Sequence, residues 1–307
     1  MRALIRTTLV LALATGCTFN ANAFTRDVQA ESTEDITKLR VDLEGLGTTF
    51  DGGDLVVRGA DRLGASAEVT ISGLAGVGDD PDQIANDVQV DLPSGGDSVI
   101  ELQLAYDGSA AENVWVDSVV IEQQIGTELD VTAGAASVDA AELDAPFVNI
   151  HTGSGSIRLR DADEVILQAG SGSIDVVAGS GRLQADSGSI TMVMSGPVLA
   201  DTDSGSIDGS FGGHGELSAD SGSLDLELTT QLDGNVTLGT GSGSITLVIP
   251  RGAGMSLDLD AGSGSVTVRA GEVSRSGESF SGAINGGGEF TVRARAGSGS
   301  ITVVEAD

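Results

Sequence analysis

One short motif constrains this chain more than any other feature: Ser-Gly-Ser followed by Ile, Leu or Val, written eight times. Its first serines are Ser154, Ser171, Ser187, Ser204, Ser221, Ser242, Ser263 and Ser298. The glycines that follow are Gly155, Gly172, Gly188, Gly205, Gly222, Gly243, Gly264 and Gly299. Successive copies lie 17, 16, 17, 17, 21, 21 and 35 residues apart, and Ala133-Gly-Ala-Ala-Ser-Val138 reads as a ninth, decayed copy. A recurring unit this small cannot bury a core alone, so it must stack on its neighbours.

Alignment on the first serine turns the repeat into columns. Four residues before it stand Ile150, Leu167, Leu183, Ala200, Leu217, Leu238, Leu259 and Ala294, and two before it the residue is always Ala or Thr. Three residues after it stand Ile157, Ile174, Ile190, Ile207, Leu224, Ile245, Val266 and Ile301. Five after it come Leu, Val or Met, with Gly209 the exception. Both flanks alternate with period two, the signature of strands. The inward parity is even before the motif and odd after it, so the chain must turn a corner between the serines. Glycine is the residue a bend or bulge would choose.

Seventeen residues make a circuit of about 56 Å at ~3.3 Å per residue, enough for two short strands and two turns. The predicted fold is therefore all-β: a single-stranded parallel β-helix, or β-solenoid, of about nine or more coils spaced ~4.8 Å apart. The two 21-residue spacings predict four-residue insertions in the far turn, such as Gln231–Gly234 or Ile249–Ala253. Aromatic residues make up 3% of the chain, as a thin core requires. Residues 35–132 read as wider, irregular coils, 133–270 as the regular repeats, and 271–307 as an excursion with a last coil.

The other end of the chain carries an export signal. Arg2 and Arg6 precede the apolar run Leu9–Ala14, which ends in Thr15-Gly16-Cys17. Residues 1–16 read as a signal peptide of lipoprotein type, with Cys17, the only cysteine, as the lipidated residue. A second cleavage site is legible at Ala21-Asn22-Ala23, which would release a periplasmic or secreted chain. Residues 17–34 read as a polar tether. The expected location is the outer membrane or cell surface, reached through the lipid anchor alone, because no later segment has the ~18 apolar residues of a span.

Forty-six acidic residues against 15 basic ones leave a net charge of −31, which repels nucleic acid and anionic membranes. A catalytic role for the repeated serines lacks its parts: there is no G-x-S-x-G elbow and no Gly-Lys-Ser loop. His151 and His214, the only histidines, stand too many coils apart to share a site. Arg158, Arg160 and Arg182 are the nearest approach to a basic cluster of the kind β-helix polysaccharide-acting enzymes use. Before the first serine, three consecutive repeats carry Asp186, Asp203 and Asp220. Stacked ~4.8 Å apart, these carboxylates repel one another, and Ca²⁺ is the one ligand or cofactor they suggest. Eight copies of one motif otherwise point to a structural ladder, since an active site is needed once.

At this point the chain resembles a known family. "ITKLRVDLEG" near the start, the serial "GSGSI" strands, and "SGAINGGGEFTVRARAGSGSITV" at the end are similar to the bacterial putative-adhesin β-repeat family, also called toast-rack domains. The resemblance spans roughly residues 36–304 and implies an extracytoplasmic β-helix tied to the cell envelope, with envelope-stress sensing as a role in some members. Members commonly carry Asp in place of the second serine, whereas here Ser stands throughout. The expectation is a non-catalytic surface lipoprotein that presents an acidic binding or spacer surface to an envelope or surface ligand, protein or glycan. Envelope-stress sensing, polysaccharide chemistry and a weak Ca²⁺-binding module are the alternatives.

Overall fold

A computed structural model describes residues 22–43, 53–75, 80, 88–95, 98–106, 114–229 and 232–306. Cys17, the signal peptide, Ala21 and Gln231 lie outside the described residues. Among the described residues the regular structure is β, with no α-helix. The chain divides into two compact units, Met1–Gly155 and Ser156–Asp307.

The first unit opens with β1 (Asn22–Ser32), β2 (Lys38–Asp42), β3 (Asp54–Ala60) and β4 (Ala65–Ala75). It continues with β5 (Val88–Asp91), β6 (Ser94–Gly95), β7 (Val99–Tyr106), β8 (Val114–Gln124), β9 (Glu128–Ala133), β10 (Ser137–Ala141) and β11 (Ala145–Thr152). One wall runs β1-β4-β8-β3-β10 and the other β11-β9-β2-β7-β5. The segment expected to be a tether is instead a strand over most of its length. β1 pairs antiparallel with β4 along eleven residues, from Asn22 opposite Ala75 to Ser32 opposite Ala65. Phe24, Arg26 and Val28 alternate inward and are buried. An arginine in an inward position hid that alternation from a count of apolar residues.

Each coil is a pair of strands joined at a corner. In the first unit β2/β3, β7/β8 and β9/β10 are such pairs, and they do not stack in chain order. β2 lies between β7 and β9, parallel to both, while β3 lies between β8 and β10. The first coil of the sequence is thus second in space.

The second unit carries the regular repeats. Its first wall holds β12 (Ile157–Arg160), β14 (Ile174–Ala178), β16 (Ile190–Met194), β18 (Ile207–Phe211), β20 (Leu224–Leu228), β22 (Ile245–Ile249), β24 (Val266–Ala270) and β28 (Ile301–Glu305). Its second wall holds β13 (Ala162–Ala169), β15 (Ser180–Ala185), β17 (Val198–Thr202), β19 (Gly215–Ala219), β21 (Val236–Thr240), β23 (Met255–Asp260) and β27 (Thr291–Ala296). Neighbouring coils pair parallel and in register, as in Ile174 opposite Ile190 and Leu183 opposite Ala200. The aliphatic columns face inward: Ile174, Ile190, Ile207, Leu224, Ile245 and Ile301 are each at most 1% exposed. The expected solenoid is therefore the fold. The insertions of the longer repeats lie in the far turns, between β20 and β21 and between β22 and β23.

Gly209 leaves its inward column empty, and Phe211, two residues on, is the largest fully buried side chain. A Cβ on Gly215 would lie 3.1 Å from the Phe211 ring. The one buried aromatic of the repeats sits where two inward positions are glycine, which is why a thin core admits it.

The last coil is also out of chain order. β28 lies between β22 and β24, and β27 between β21 and β23. The excursion forms β25 (Val273–Gly277) and β26 (Ser279–Ile284), which pair antiparallel with β24 and β23 and cover the end of each wall. Antiparallel closing strands, short and polar, blunt an edge that would otherwise template further pairing. Glu305 holds this end together: its carboxylate accepts the backbone N–H groups of Gly252 (3.1 Å) and Gly271 (3.0 Å) and the Asn285 amide (2.5 Å).

Candidate functional site

The Ser-Gly-Ser corners of the second unit stand directly over one another. A Cβ added to Gly188, Gly205, Gly222, Gly243 or Gly299 would come within 3.0 Å of the carbonyl of the motif glycine in the adjoining coil. In the first unit, Gly155 meets Ala136 of the decayed copy in the same way. None of these glycines has a positive φ. They are needed for close backbone approach, so bend freedom, the reason expected from sequence, is not what selects them.

The flanking residues complete the corner. The first serine donates its N–H to the preceding coil: Ser204 to Asp186 O, Ser221 to Asp203 O and Ser242 to Asp220 O, each at 3.0–3.1 Å. The second serine acts through its side chain. Ser156 Oγ accepts the N–H of Ser173, Ser189 Oγ that of Ser206, Ser206 Oγ that of Ser223, and Ser223 Oγ that of Ser244, all at 3.1–3.2 Å. Ser300 N–H donates to Ser244 Oγ at 3.2 Å, and the Ser265 and Ser300 hydroxyls are 3.3 Å apart. A carboxylate could accept the same bond. Serine makes it without stacking like charges ~4.8 Å apart. Where the residue two before the motif is Thr, the hydroxyl serves the buried corner carbonyls: Thr152 donates to Gly155 O at 2.6 Å and Thr240 to Gly243 O at 2.7 Å.

Asp186, Asp203 and Asp220 follow one another on these corners with exposed side chains. Among the described residues, no group of three or more His, Cys, Asp or Glu is placed to hold a metal ion. His151 is exposed on β11 of the first unit. His214, in the second unit, bonds through Nδ1 to Asp233 Oδ1 at 2.8 Å. The three arginines read as the nearest approach to a cluster do not form one. Arg158 and Arg160 lie on β12 and share Asp175 (3.9 and 2.5 Å), whereas Arg182 is on β15 of the other wall. Elsewhere in the unit, Arg293 and Arg295 both bond Asp258 (3.2 and 2.8 Å) and hold its carboxyl below the usual carboxylate range.

Sequence reasoning did not find the surface around Arg182. Ile166, Arg182, Leu199, Glu216 and Thr237 face each other across β13, β15, β17, β19 and β21. They line a shallow depression of about 530 Å³ on the outer face of the second wall. Among the described residues no ion pair holds Arg182. A second depression, of about 340 Å³, lies in the first unit over β1, β4 and β8. There the polar groups are spent on one another: Gln29 bonds Glu68 at 2.7 Å, and Arg62 bonds Glu31 at 2.7 Å. The signal that could have found the first depression was the break in the outward rows, where Ile166, Pro197 and Leu199 interrupt polar positions.

The sequence profile of the Toastrack DUF4097 family matches residues 81–304. Solved structures similar to the chain include a "putative adhesin" from Parabacteroides distasonis ATCC 8503, at 15% identity over 94% of this chain and 98% of that one, TM-score 0.41. A "putative lipid binding protein" from the same organism has 12% identity over 93% and 98% of the two chains, TM-score 0.40. A "putative adhesin" from Bacteroides fragilis NCTC 9343 has 12% identity over 92% and 97%, TM-score 0.32. No protein of curated function matches the chain.

Proposed function

We propose that this chain, which belongs to the Toastrack DUF4097 family, is a non-catalytic protein of the cell surface whose outer faces contact an envelope or surface ligand. The observation that carries the reading is the fate of the repeated motif. Its glycines, its backbone N–H groups and its second-serine hydroxyls are spent on the ladder between coils. What remains for function is the outer faces of each unit, polar and acidic overall. A net charge of −31 suits a face that stays soluble and rejects nucleic acid and anionic lipid.

The anchor in this reading is a lipid on Cys17, and the mass of the mature N-terminus tests it: a diacylated Cys17 is expected, and a chain starting at Phe24 overturns it. Ligand contact is tested by crosslinking the exported protein to intact envelopes and identifying what is retained. A specific protein or glycan is the expected result. Retention of nothing above background makes the stack a spacer, and sugar release from envelope polysaccharide makes it an enzyme.

A further inference from the structure

The depression around Arg182 has the composition of a carbohydrate subsite. Its outward rows form a grid. Across the five strands β13, β15, β17, β19 and β21, one row reads Ile166, Arg182, Leu199, Glu216, Thr237. Two residues back along the chain stand Glu164, Ser180, Pro197, His214 and Asn235, the last three just ahead of their strands. The middle strand is thus an apolar stripe, Pro197 with Leu199. On one side lies a guanidinium, on the other a carboxylate and an imidazole.

Three observations point to a ligand. First, Arg182, like Arg251, Arg269 and Arg275 of this unit, has no ion pair among the described residues, whereas Arg158, Arg160, Arg293 and Arg295 are held by aspartates; of the four it alone lines this depression. A cation left unpaired between Ile166 and Leu199, in a chain with 46 acidic residues, offers five donors to a partner from outside. Second, the insertion of the 21-residue repeat folds against this site. Asp233 reaches His214 Nδ1 at 2.8 Å, and a Cβ on Gly234 would lie 3.0 Å from the His214 Cβ. The insertion therefore fixes the ring, and an Nδ1–H donating to Asp233 leaves Nε2 free as an acceptor. Third, among the described residues Asn235 bonds only through its carbonyl, which accepts the Thr291 N–H at 2.9 Å, so its amide hydrogens face no partner there.

Charge selects the ligand class. Glu164, Glu216 and Asp233 outnumber Arg182, so an anionic glycan is repelled. Among the described residues no group of three or more His, Cys, Asp or Glu is placed here to hold a metal ion. A neutral polyol, with hydroxyls that both donate and accept and a C–H face that covers Pro197 and Leu199, meets every group present. Five strands at ~4.8 Å make the site about 19 Å long, the reach of an oligosaccharide laid across the strands. We infer that this face binds an uncharged glycan chain, with Arg182, Glu216 and His214 as hydrogen-bonding groups and Pro197–Leu199 as the apolar platform. The inference rests on the surface-binding reading and names its ligand class.

The test is an array of defined neutral and uronate-containing oligosaccharides probed with the purified mature protein, followed by titration of the best neutral hit. Neutral oligosaccharides of several sugars are expected to bind. Arg182→Ala and Leu199→Asp, both outward and outside the core, are each expected to weaken binding tenfold or more at an unchanged melting temperature. Glu227→Gln, on the opposite wall, is the control and leaves affinity as it is. A preference for uronates, wild-type affinity in both variants, or no carbohydrate binding overturns the inference. If envelope material is still captured by both variants, the surface-binding reading stands and only this site falls; if none is captured by the wild type, both fall.

Discussion

Gly205 offers the sharpest test of the corner ladder. Its Cβ, were there one, would sit within 3.0 Å of both the carbonyl oxygen and the carbonyl carbon of Gly188, and both are backbone atoms that cannot swing away. Ordinary contact needs ~3.5 Å, so Gly205→Ala must push two coils apart by about 1 Å or break the corner. Overpacking of this kind costs ~1–3 kcal/mol. Three bonds span the same corner: Ser204 N–H to Asp186 O at 3.1 Å, Gly205 N–H to Thr202 Oγ1 at 3.0 Å, and Ser206 N–H to Ser189 Oγ at 3.2 Å. Losing two of them adds ~1–3 kcal/mol. The expected total is about 2–6 kcal/mol, read as a fall in melting temperature of about 4–24 °C for a domain of this size.

The control is Gly239→Ala, in the middle of β21. There the added Cβ meets only the Ser218 Cβ at 3.9 Å, and φ is not positive. Alanine in a strand interior should be neutral or gain ~0.5–1 kcal/mol over glycine. Opposite signs for these two glycines, two coils apart, measured by circular dichroism melts, are the predicted outcome. Equal shifts would refute the claim that close approach selects the motif glycine.

Two further predictions follow from the same geometry. Ser206→Ala removes the acceptor of the Ser223 N–H and should cost ~1 kcal/mol, whereas Ser206→Asp keeps an acceptor and should lose less; denaturant midpoints with equal loss for both would show that the hydroxyl is not the ladder. The Glu305 carboxyl is held below its ordinary pKa of 4.5, first by the Gly271 N–H, then by the Asn285 amide and the Gly252 N–H. A carboxyl lowered by folding adds stability that is present above its unfolded pKa and is lost as pH falls through the folded value. Wild type should therefore melt higher than Glu305→Gln at pH 7, with the gap narrowing as pH falls below 4.5; a gap that does not narrow in acid would mean the carboxylate is not the latch.

How far the molecule was legible in its residues varies along the chain. The Leu, Ile and Val columns of residues 150–303 announced strands, parity and corner together. Apolar burial with period two has one solution when the repeat is 17 residues long. β1 was missed because Arg26 takes an inward position and Thr25, Asp27 and Gln29 surround it, so its partner strand and not its own pattern makes it a strand. The outer depression was missed for a related reason. Ile166, Arg182, Leu199 and Glu216 are 16–17 residues apart, and only the register of β13 to β19 brings them into one row.

The repeat by itself determined a stack of two-walled coils with aliphatic residues inside, because each coil is too small to be stable unless it continues into the next. It equally determined an acidic exterior. The tertiary structure alone decided the order of the coils. Nothing local to residues 38–60 or 291–305 says that the first and last coils lie one place in from the ends of their stacks, because any coil with the same inward columns fits either neighbour equally well. Long connections and antiparallel closing strands choose among those equivalent places, and that choice exists only once the distant segments have met.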